Sequence, residues 1–374
     1  MSPHIVIMAG EASGDEHGAH LVKALKELAP QLRFSGIGGS AMQAAGVQLL
    51  YRAEELALVG VSEVFGKLKH IRRAMKDMKA HLRHERPDLL ILIDFPDFNF
   101  RLAAYAKKLK LKVLYYISPQ VWAWRSGRAA KMAKLVDHLA VVFPFEKEFY
   151  ASRAPELPVT FVGHPLFDEM EEPPTSWPWP PEQEVVGLLP GSRMSEISRL
   201  MPLLVDTARR LKAQRPNIKF ALPVAPSLKR EDIEAYLGDM AEHITLLPGK
   251  ARLVMAHARL LLIASGTATL QAAIAGTPMV VVYKTGGLNY FLGKRLIKVE
   301  HIAMPNLIAG KSLLPELIQN EANAENLAAR ALDLLADPER MSNISLGLNQ
   351  VRQKLGGPGA SKRVAELALS MIGE

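Results

Sequence analysis

Buried apolar runs that alternate with helical stretches constrain the fold of this chain more than any other feature. Runs such as LLILI (89–93) and VVVY (280–283) have no polar alternation, which is typical of strands covered on both faces of a parallel sheet. Helical patterns lie between them, for example over Glu16–Leu28 and Val61–His84. Because the alternation runs through both halves of the 374-residue chain, it predicts an α/β protein. We expect two doubly wound, Rossmann-like domains facing a central cleft.

A proline cluster indicates where the two domains meet. Five prolines fall between positions 173 and 181, which is too dense for a helix or a central strand. We therefore predict a first domain over 1–165, a linker over 166–184 and a second domain over 185–374. The helices at the end of the chain either return to the first domain or exchange between two copies, so a homodimer is a further prediction.

Composition and charge narrow the classes of function. The chain has no cysteine, which excludes disulfides, thiolate nucleophiles and cysteine-bound zinc. It has no apolar run long enough to span a bilayer and no signal-peptide pattern, so we expect a cytoplasmic protein that is soluble or peripheral. The net charge is +8, and residues 1–165 hold 23 Lys and Arg against 16 Asp and Glu. Such a basic region attracts nucleic acid, anionic lipid headgroups or phosphorylated substrates, and charge alone does not choose among them.

Two polar turns in the second half each lie between a buried strand and a helix. Their backbone amides and hydroxyls, with the positive end of the following helix dipole, suit an anion. A tight turn or ordinary N-capping explains either turn alone, but two such turns without an acidic residue predict a nucleotide diphosphate site. The residues expected to bind this nucleotide diphosphate are Gly191, Ser192, Arg193, Ser265, Gly266, Thr267, Thr269 and, for a ribose hydroxyl, Gln271.

Two carboxylates follow a buried strand in the first half. Asp94 and Asp97 leave the carboxyl end of LLILI, beside Phe95 and Phe98. Burial there would raise the pKa of a carboxyl group towards that of a useful general base. The alternative is that these side chains brace the loop, which we expect of Asp94 more than of Asp97.

Other polar residues of the first half suit the hydroxyl groups of a sugar. The glycine-rich turn with Glu11 and Ser13 could hydrogen-bond sugar hydroxyls, although Ser13 or Asp15 equally suits an N-cap. Trp122 precedes Arg125 in a loop after another strand, and tryptophans in loops line sugar sites about as often as they anchor a core. The residues predicted to bind a sugar here are Ser13, Asp94, Asn99, Trp122 and Arg125.

An apolar stripe follows the helical pattern near residues 64–82. Its members are Val64, Leu68, Ile71, Met75, Met78 and Leu82. The stripe favours packing on the core. The alternative is that part of it, with residues 58–61, docks on an anionic membrane whose headgroups meet the eight Lys and Arg of residues 67–86.

Several other binding motifs fit poorly. Residues 310–312 look like the end of a P-loop, but Pro305 stands where the first glycine is needed. Residues 36–41 match a loose dinucleotide fingerprint, but they follow the second strand instead of the first, so a nicotinamide site is a weak alternative. The histidine pairs lack a surrounding set of carboxylates, and no serine lies in a GxSxG elbow. We therefore expect neither a metal nor another cofactor.

Ten motifs, in order along nearly the whole chain, resemble those of the lipid-A-disaccharide synthase family. They are GEASGD (10–15), GIGGSAM (36–42), DFPDFN (94–99), SPQVWAWR (118–125), FPFE (143–146), FVGHPL (161–166), LLPGSR with a glutamate at 196 (188–196), SGTATLQ (265–271), PMVVVYK (278–284) and PNLIAGK (305–311). Members resemble the GT-B glycosyltransferases, which bind the acceptor on the first domain and the UDP-sugar donor on the second.

The resemblance implies an inverting, metal-independent hexosyltransferase. The implied reaction moves diacylglucosamine from UDP-2,3-diacylglucosamine to the 6-hydroxyl of 2,3-diacylglucosamine 1-phosphate (lipid X), giving a β-1,6 disaccharide 1-phosphate and UDP. Both substrates carry acyl chains, so the resemblance also implies contact with an anionic membrane surface on the cytoplasmic face of the inner membrane.

The family pattern also implies roles for single residues. Asp97 is the leading candidate to deprotonate the acceptor hydroxyl, and Glu11 and Asp88 are carried over as activity-sensitive positions. Asp88 opens a strand at the end remote from the predicted cleft, so we do not expect it to take part in the chemistry. Asn306 maps onto the donor side. Position 271 is Gln where such transferases usually have Glu bonding the ribose, which predicts an altered nucleotide affinity.

Two other functions stay open at this point. One is a different UDP-GlcNAc-using GT-B enzyme, either a peptidoglycan glycosyltransferase or a UDP-sugar epimerase. The other is a non-enzymatic basic protein that binds nucleic acid. We do not expect nucleic acid as a partner, because the basic stretches lack interleaved aromatic residues and the two polar turns would have no use.

Overall fold

The computed structural model describes residues 2–56, 64–124, 127–169, 176–285 and 301–373. The chain divides into two compact units, the first comprising Met1–Glu169 with Leu355–Glu374 and the second Met170–Lys354. The end of the chain therefore packs with the first unit. Among the described residues, no helix is both long and apolar enough to cross a bilayer.

A parallel sheet forms the centre of the first unit. Its strands are β1 (His4–Ala9), β2 (Arg33–Gly38), β3 (Gln48–Arg52), β4 (Leu89–Ile93), β5 (Lys112–Tyr116), β6 (His138–Val141) and β7 (Val159–Phe161). Over the described residues the order across the sheet is β3-β2-β1-β4-β5-β6-β7, and neighbouring strands are parallel. β1 and β4 are neighbours, and the chain runs from β1 to β2 in one direction across the sheet and from β4 to β5 in the opposite direction. This is the switch point of a doubly wound fold, where ligands bind at the carboxyl ends of the strands.

Helices cover the sheet of the first unit. They are α1 (Ala12–Leu28), α2 (Ser40–Ala44), α3 (Ala53–Leu56), α4 (Val64–Glu85), α5 (Pro96–Lys108), α6 (Val121–Trp124), α7 (Arg128–Leu135), α8 (Pro144–Arg153) and α9 (Leu166–Glu169). The C-terminal helix Ala360–Ile372 packs against α1. The carboxylate of Asp168 fixes its start by accepting hydrogen bonds from the amides of Gly359 at 2.5 Å and Ser361 at 2.7 Å.

The core of the first unit explains the apolar runs in the sequence. Every residue of β1 and β4 is buried, and each large aliphatic side chain so buried stabilises the fold by roughly 1.5–3 kcal/mol. On α4, Met78 and Leu82 are fully buried and Ile71 and Met75 pack against the core, so this part of the apolar stripe packs on the core. The side chains of Val64 and Leu68, and residues 58–61, lie outside what the structure describes.

The second unit repeats the architecture around a smaller sheet. Its strands are β8 (Val185–Leu189), β9 (Lys219–Val224), β10 (Ile244–Pro248), β11 (Leu260–Ala264), β12 (Met279–Tyr283) and β13 (Glu316–Ile318). Its helices are α10 (Met194–Gln214), α11 (Arg230–Glu234), a 3₁₀ turn (Gly238–Met240), α12 (Ala251–His257), α13 (Thr267–Ala275), α14 (Met304–Ala309), α15 (Ala324–Leu335) and α16 (Pro338–Lys354). In the described part of this unit the strand order is β10-β9-β8-β11-β12-β13, with the switch point between β8 and β11.

The described part of the proline-rich linker is held on the second unit by aromatic contacts. The ring of Trp177 stacks on His257 with centroids 5.3 Å apart and meets Trp179 edge-on at 4.8 Å. Residues 170–175 lie outside the described part of the chain.

Candidate active site

The switch point of the first sheet brings the acidic residues of two motifs together. Ala9 and Ile93, the last residues of β1 and β4, are register partners. Glu11 and Asp94 follow these strands by one or two residues, and the charge of Glu11 acts on Asp94. The carboxyl end of this sheet is therefore an acidic edge.

Two successive residues after β4 have left-handed backbone conformations. The φ angles of Asp94 and Phe95 are 43° and 46°, a conformation that costs of order 1–3 kcal/mol at each non-glycine residue. Asn99 stabilises this turn by donating from Nδ2 to the carbonyl oxygens of Ile93 at 3.3 Å and Asp94 at 2.6 Å. Asn99 is fully buried, so the expectation that its side chain binds the acceptor is wrong in this structure.

Burial raises the pKa of Asp94, whereas the sequence favoured Asp97 as the general base. Burial, and next the charge of Glu11, raise the pKa of Asp94 to about 6, against a smaller lowering by His17. The Asp97 side chain is 81% exposed and lies 3.2 Å from the Arg128 guanidinium. Asp94 thus has the raised pKa that was expected of a general base, and Asp97 is the more exposed of the two carboxylates.

The turn after β1 leaves Glu11 and Ser13 exposed at the start of α1. Glu11 occupies the N-cap position without a side-chain capping bond. A Cβ atom at Gly10 would lie 2.3 Å from the Phe95 ring, so only glycine lets that ring cover the turn. The exposed carboxylate and hydroxyl are available to a ligand, and their binding to a sugar stays a prediction.

Asp15 binds the turn that resembles a dinucleotide fingerprint. Its buried carboxylate accepts hydrogen bonds from the amides of Gly39 at 2.6 Å, Ala41 at 2.9 Å and Met42 at 3.0 Å. These amides would have to be free to bind a pyrophosphate. The nicotinamide alternative is therefore excluded at this turn, and Asp15 caps α2 instead of α1.

Asp88 lies at the opposite edge of the sheet, as its position before β4 indicated. Its carboxylate accepts a hydrogen bond of 2.7 Å from the amide of His4, and its own amide donates to the His4 carbonyl. Asp88 therefore joins the amino ends of β1 and β4, a structural position remote from the acidic edge.

Trp122 is held by aromatic neighbours. Its ring meets Phe143 and Phe145 edge-on, with centroids 6.4 Å and 5.0 Å apart, and its Nε1 is buried without a hydrogen-bond partner among the described residues. Of the two interpretations that the sequence left open for this residue, the structure favours anchoring. Arg125, the other predicted acceptor ligand of this loop, lies outside the described residues.

Glu146 is a buried acid that the sequence analysis did not single out. It is fully buried in the first turn of α8, where its Oε2 accepts from the amides of Val142 at 3.2 Å and Phe143 at 3.0 Å. Burial raises its pKa to about 8, against the opposing effect of these amides. The signal in the sequence was its spacing, three residues after the N-cap of a helix that follows a strand.

The switch point of the second sheet brings the two polar turns together. Leu189 of β8 and Ile263 of β11 are register partners, so the turns that follow these strands lie at the same edge. Ser265 is half-buried, Thr267 is exposed, and their side chains make no hydrogen bond to the described residues. Gln271 is half-buried one turn further along α13. These three side chains are available to a ligand.

Other residues predicted at this edge are used within the protein. The Oγ1 of Thr269 is buried and donates to the Gly266 carbonyl at 2.7 Å. The amides of Ser192 and Arg193 donate to a carboxylate oxygen of Glu196, at 2.9 Å and 3.3 Å. The predictions that Thr269 is a free hydroxyl and that these two amides are free donors are wrong for this structure.

Asn306 is also committed to the protein. Its side chain is fully buried, donating to the Leu314 carbonyl and to Glu316 and accepting from the amides of Leu313 and Leu314. Four hydrogen bonds use the capacity of one carboxamide. The Asn306 side chain therefore orders residues 311–316 and has no hydrogen-bonding capacity left for a donor, while its place on the donor side stays a prediction.

Solved structures of other proteins share this architecture. A putative UDP-N-acetylglucosamine 2-epimerase from Listeria monocytogenes aligns with a TM-score of 0.68 and 15% identity, covering 100% of this chain and 97% of that one. A co-structure of the S. aureus protein MnaA with UDP aligns with a TM-score of 0.66 and 16% identity, covering 100% and 98%. At this identity the likeness shows the fold alone, and the predicted GT-B fold is confirmed.

Sequence comparison identifies the family. A family model described as lipid-A-disaccharide synthetase matches residues 5–370. The chain is 46% identical to the lipid-A-disaccharide synthase of Nitrosococcus oceani, covering 99% of this chain and 97% of that protein. It is also 46% identical, with the same coverage, to the enzyme of Geobacter metallireducens. The resemblance carried by the ten motifs is thus confirmed, and this chain belongs to the lipid-A-disaccharide synthase family of hexosyltransferases.

Proposed function

We propose that this chain moves diacylglucosamine from UDP-2,3-diacylglucosamine to the 6-hydroxyl of lipid X, with inversion at the transferred carbon. The family match over residues 5–370 carries this proposal. Two features of the structure support it: an acidic edge on the first sheet, suited to a hydroxyl acceptor, and a polar edge on the second, suited to a diphosphate. The solved S. aureus relative by fold is a complex with UDP, which supports a UDP-sugar as the donor.

Asp97 accepts the proton in this mechanism. The acceptor 6-hydroxyl gives its proton to the exposed Asp97 carboxylate while its oxygen attacks the anomeric carbon of the donor sugar. The bond between that carbon and the diphosphate oxygen breaks from the opposite face, and UDP leaves with the electron pair. Arg128, 3.2 Å from Asp97, orients the carboxylate, while Glu11 and ionised Asp94 accept hydrogen bonds from the sugar.

The second unit stabilises the charge of the leaving diphosphate. Arg193 and the amino end of α13, with the hydroxyls of Ser265 and Thr267, supply positive charge and donors. We expect no divalent metal to be needed, because these groups take the place of the cation. Turnover that is unchanged in EDTA would agree with this, and turnover that requires added Mg²⁺ would contradict it.

An anionic membrane surface is the proposed partner of the first unit. On α4, Arg72, Lys76, Lys79 and Arg83 are spaced four, three and four residues apart and line one groove. Within the described residues none of them pairs with a carboxylate. Such a stripe suits anionic headgroups at the cytoplasmic face of the inner membrane, where both acylated substrates would be met.

Flotation with liposomes tests the membrane proposal. We expect the protein to float with phosphatidylglycerol vesicles at low salt, less at high salt, and less when Lys76 and Arg83 are both changed to Glu. The same charge change at the exposed residues Lys229 and Lys311 is the matched control. If the protein binds the vesicles at neither the low nor the high salt concentration, the proposal is contradicted.

Single-turnover release of UDP tests the reaction itself. Purified protein is mixed with UDP-diacylglucosamine with and without lipid X, beside the Asp97→Ala variant. We expect release that depends on lipid X and collapses in the variant. Release without an acceptor would indicate a hydrolase or an epimerase instead, and an unchanged rate in the variant would remove Asp97 from the mechanism.

A further inference from the structure

An internal carboxylate lies in the turn that the proposed function assigns to the donor diphosphate. Glu196, in the first turn of α10, accepts hydrogen bonds from the amides of Ser192 at 2.9 Å and Arg193 at 3.3 Å. Its second oxygen lies 3.3 Å from the Arg193 guanidinium. A Cβ atom at Gly191, whose φ is +112°, would lie 2.1 Å from the carboxylate. This turn therefore already holds an anion, in a space that only glycine leaves open.

A diphosphate and this carboxylate cannot use the same donors. A backbone amide has one hydrogen to donate, and two negative charges on one pair of amides repel each other. If the donor binds through Ser192 and Arg193, Glu196 must leave at least one of these amides. The turn then exchanges an internal anion for the phosphate oxygens of the ligand.

The contacts of Glu196 are of the kind that a ligand can replace. Its side chain is 33% exposed and that of Arg193 is 75% exposed, so water screens the pair and the net contribution is small. Two of the three distances are longer than the roughly 2.7–2.9 Å of strong charge-assisted bonds. Within the described residues the side chain of Glu196 makes no hydrogen bond outside this turn, so no other partner holds the carboxylate in place.

We infer that Glu196 is an internal occupant of the donor's anion site, and that the diphosphate of a uridine nucleotide displaces it. The carboxylate satisfies the turn while the site is empty and competes with the nucleotide for it. Glu196 therefore sets the affinity for the donor and for the product UDP, and so the ease with which UDP leaves. This inference rests on the proposed function, because it takes the turn to be the diphosphate site.

The test is UDP binding by isothermal titration calorimetry. The proteins compared are the wild type, Glu196→Gln, Arg193→Gln and the control Glu339→Gln, which removes an acid from the first turn of α16 in the same unit. We expect Glu196→Gln to bind UDP about three- to tenfold more tightly, because it removes the competing charge. Arg193→Gln should bind more weakly, and Glu339→Gln like the wild type. Inhibition of turnover by UDP should strengthen in Glu196→Gln to the same extent.

The outcomes separate this inference from the proposal on which it rests. If the wild type does not bind UDP, or if Arg193→Gln binds it equally well, the turn is not the donor site and both fail. If binding depends on Arg193 while Glu196→Gln binds equally or less tightly, only the displacement is wrong. Should Glu196→Gln fail to fold by circular dichroism, a crystal structure of the wild type with UDP decides. Glu196 still bonded to both amides beside the diphosphate would overturn the inference.

Discussion

In each unit a carboxylate accepts hydrogen bonds from the backbone amides of a turn, but the two carboxylates differ in burial. In the first unit the carboxylate of Asp15 accepts three amides at 2.6–3.0 Å and is buried. In the second, Glu196 accepts two amides at 2.9 Å and 3.3 Å and is a third exposed. Removing a buried acceptor leaves its donors unsatisfied, whereas exposed donors turn to water or a ligand. Burial therefore makes Asp15 a permanent part of the fold and leaves Glu196 replaceable.

The same comparison extends to the chemistry of the two edges. At the first switch point the residues after the strands are acids, Glu11, Asp94 and Asp97, which suit a hydroxyl that must lose a proton. At the second they are hydroxyls and an arginine, which suit an anion. One fold thus presents acids at one switch point and hydroxyls with an arginine at the other, through the residues that follow its strands, which agrees with the proposed division between proton transfer and donor binding.

Changing Asp97 to Asn is expected to have the largest effect and tests this division of labour. Loss of a general base lowers the rate by about 10²–10⁴-fold, so we expect single-turnover transfer to fall at least about 100-fold. The dissociation constant of UDP, measured by calorimetry, should stay within about twofold, since the donor site lies in the other unit. Glu231→Gln, which changes an exposed acid in the first turn of α11, is the control. A matching loss of UDP affinity would break the comparison.

Changing Asp15 to Asn separates the permanent carboxylate from the replaceable one. Three amides lose a charged acceptor, and we expect the free energy of unfolding to fall by about 2–4 kcal/mol. Urea denaturation followed by tryptophan fluorescence measures this, with the neighbouring exposed residue changed, Glu16→Gln, as the control. UDP affinity should not change. A denaturation midpoint equal to that of the wild type would show that Asp15 is as replaceable as we infer for Glu196.

The raised pKa of Asp94 predicts how activity depends on pH. Because this pKa is about 6, Asp94 is ionised above pH 6 and protonated below it, when it loses its charge and accepts a hydrogen bond from the acceptor sugar more weakly. We expect kcat/KM for lipid X to fall about tenfold between pH 8 and pH 5. In Asp94→Asn, kcat/KM should stay at the low value across this pH range, so that the fall at acid pH disappears. The pH dependence of UDP affinity should be the same as in the wild type. An unchanged fall of kcat/KM at acid pH in the variant would assign that fall to another group.

The positions of both edges could be predicted from the sequence because they follow from strand order. Continuous apolar runs identify buried parallel strands, and residues that follow such strands must meet at one edge of the sheet. This argument assigned Glu11 and Asp94, and the turns at residues 190–193 and 265–267, to the carboxyl ends of strands, and the strand order of the structure makes each pair neighbours. Asp88 could be assigned to the opposite edge by the same reasoning.

Side-chain partners could not be predicted in this way. Asp15 and Gly39 are 24 residues apart, and only the packing of α1 against β2 brings them together. Asn99, Thr269 and Asn306 are polar residues near the predicted sites, yet each is buried and donates a side-chain hydrogen bond to a carbonyl group of the protein. Whether Asp94 or Asp97 loses water depends on the left-handed turn between them, which no residue pattern indicated.

Changing Gln271 to Glu is expected to have the smallest effect and sharpens the account of the second edge. A carboxylate accepts a ribose hydroxyl more strongly than an amide oxygen does, but it also adds negative charge near the diphosphate. We expect the gain to prevail modestly, with UDP bound about threefold more tightly. The measurement is calorimetry with UDP and with 2′-deoxy-UDP, since the gain requires a ribose hydroxyl and should shrink when the 2′-hydroxyl is missing. An equal gain for both nucleotides would mean that Gln271 acts on charge at this edge and does not contact the 2′-hydroxyl. Weaker binding of both nucleotides would show that repulsion between the new carboxylate and the diphosphate outweighs the hydrogen bond, at an edge where the carboxylate of Glu196 already competes with the ligand.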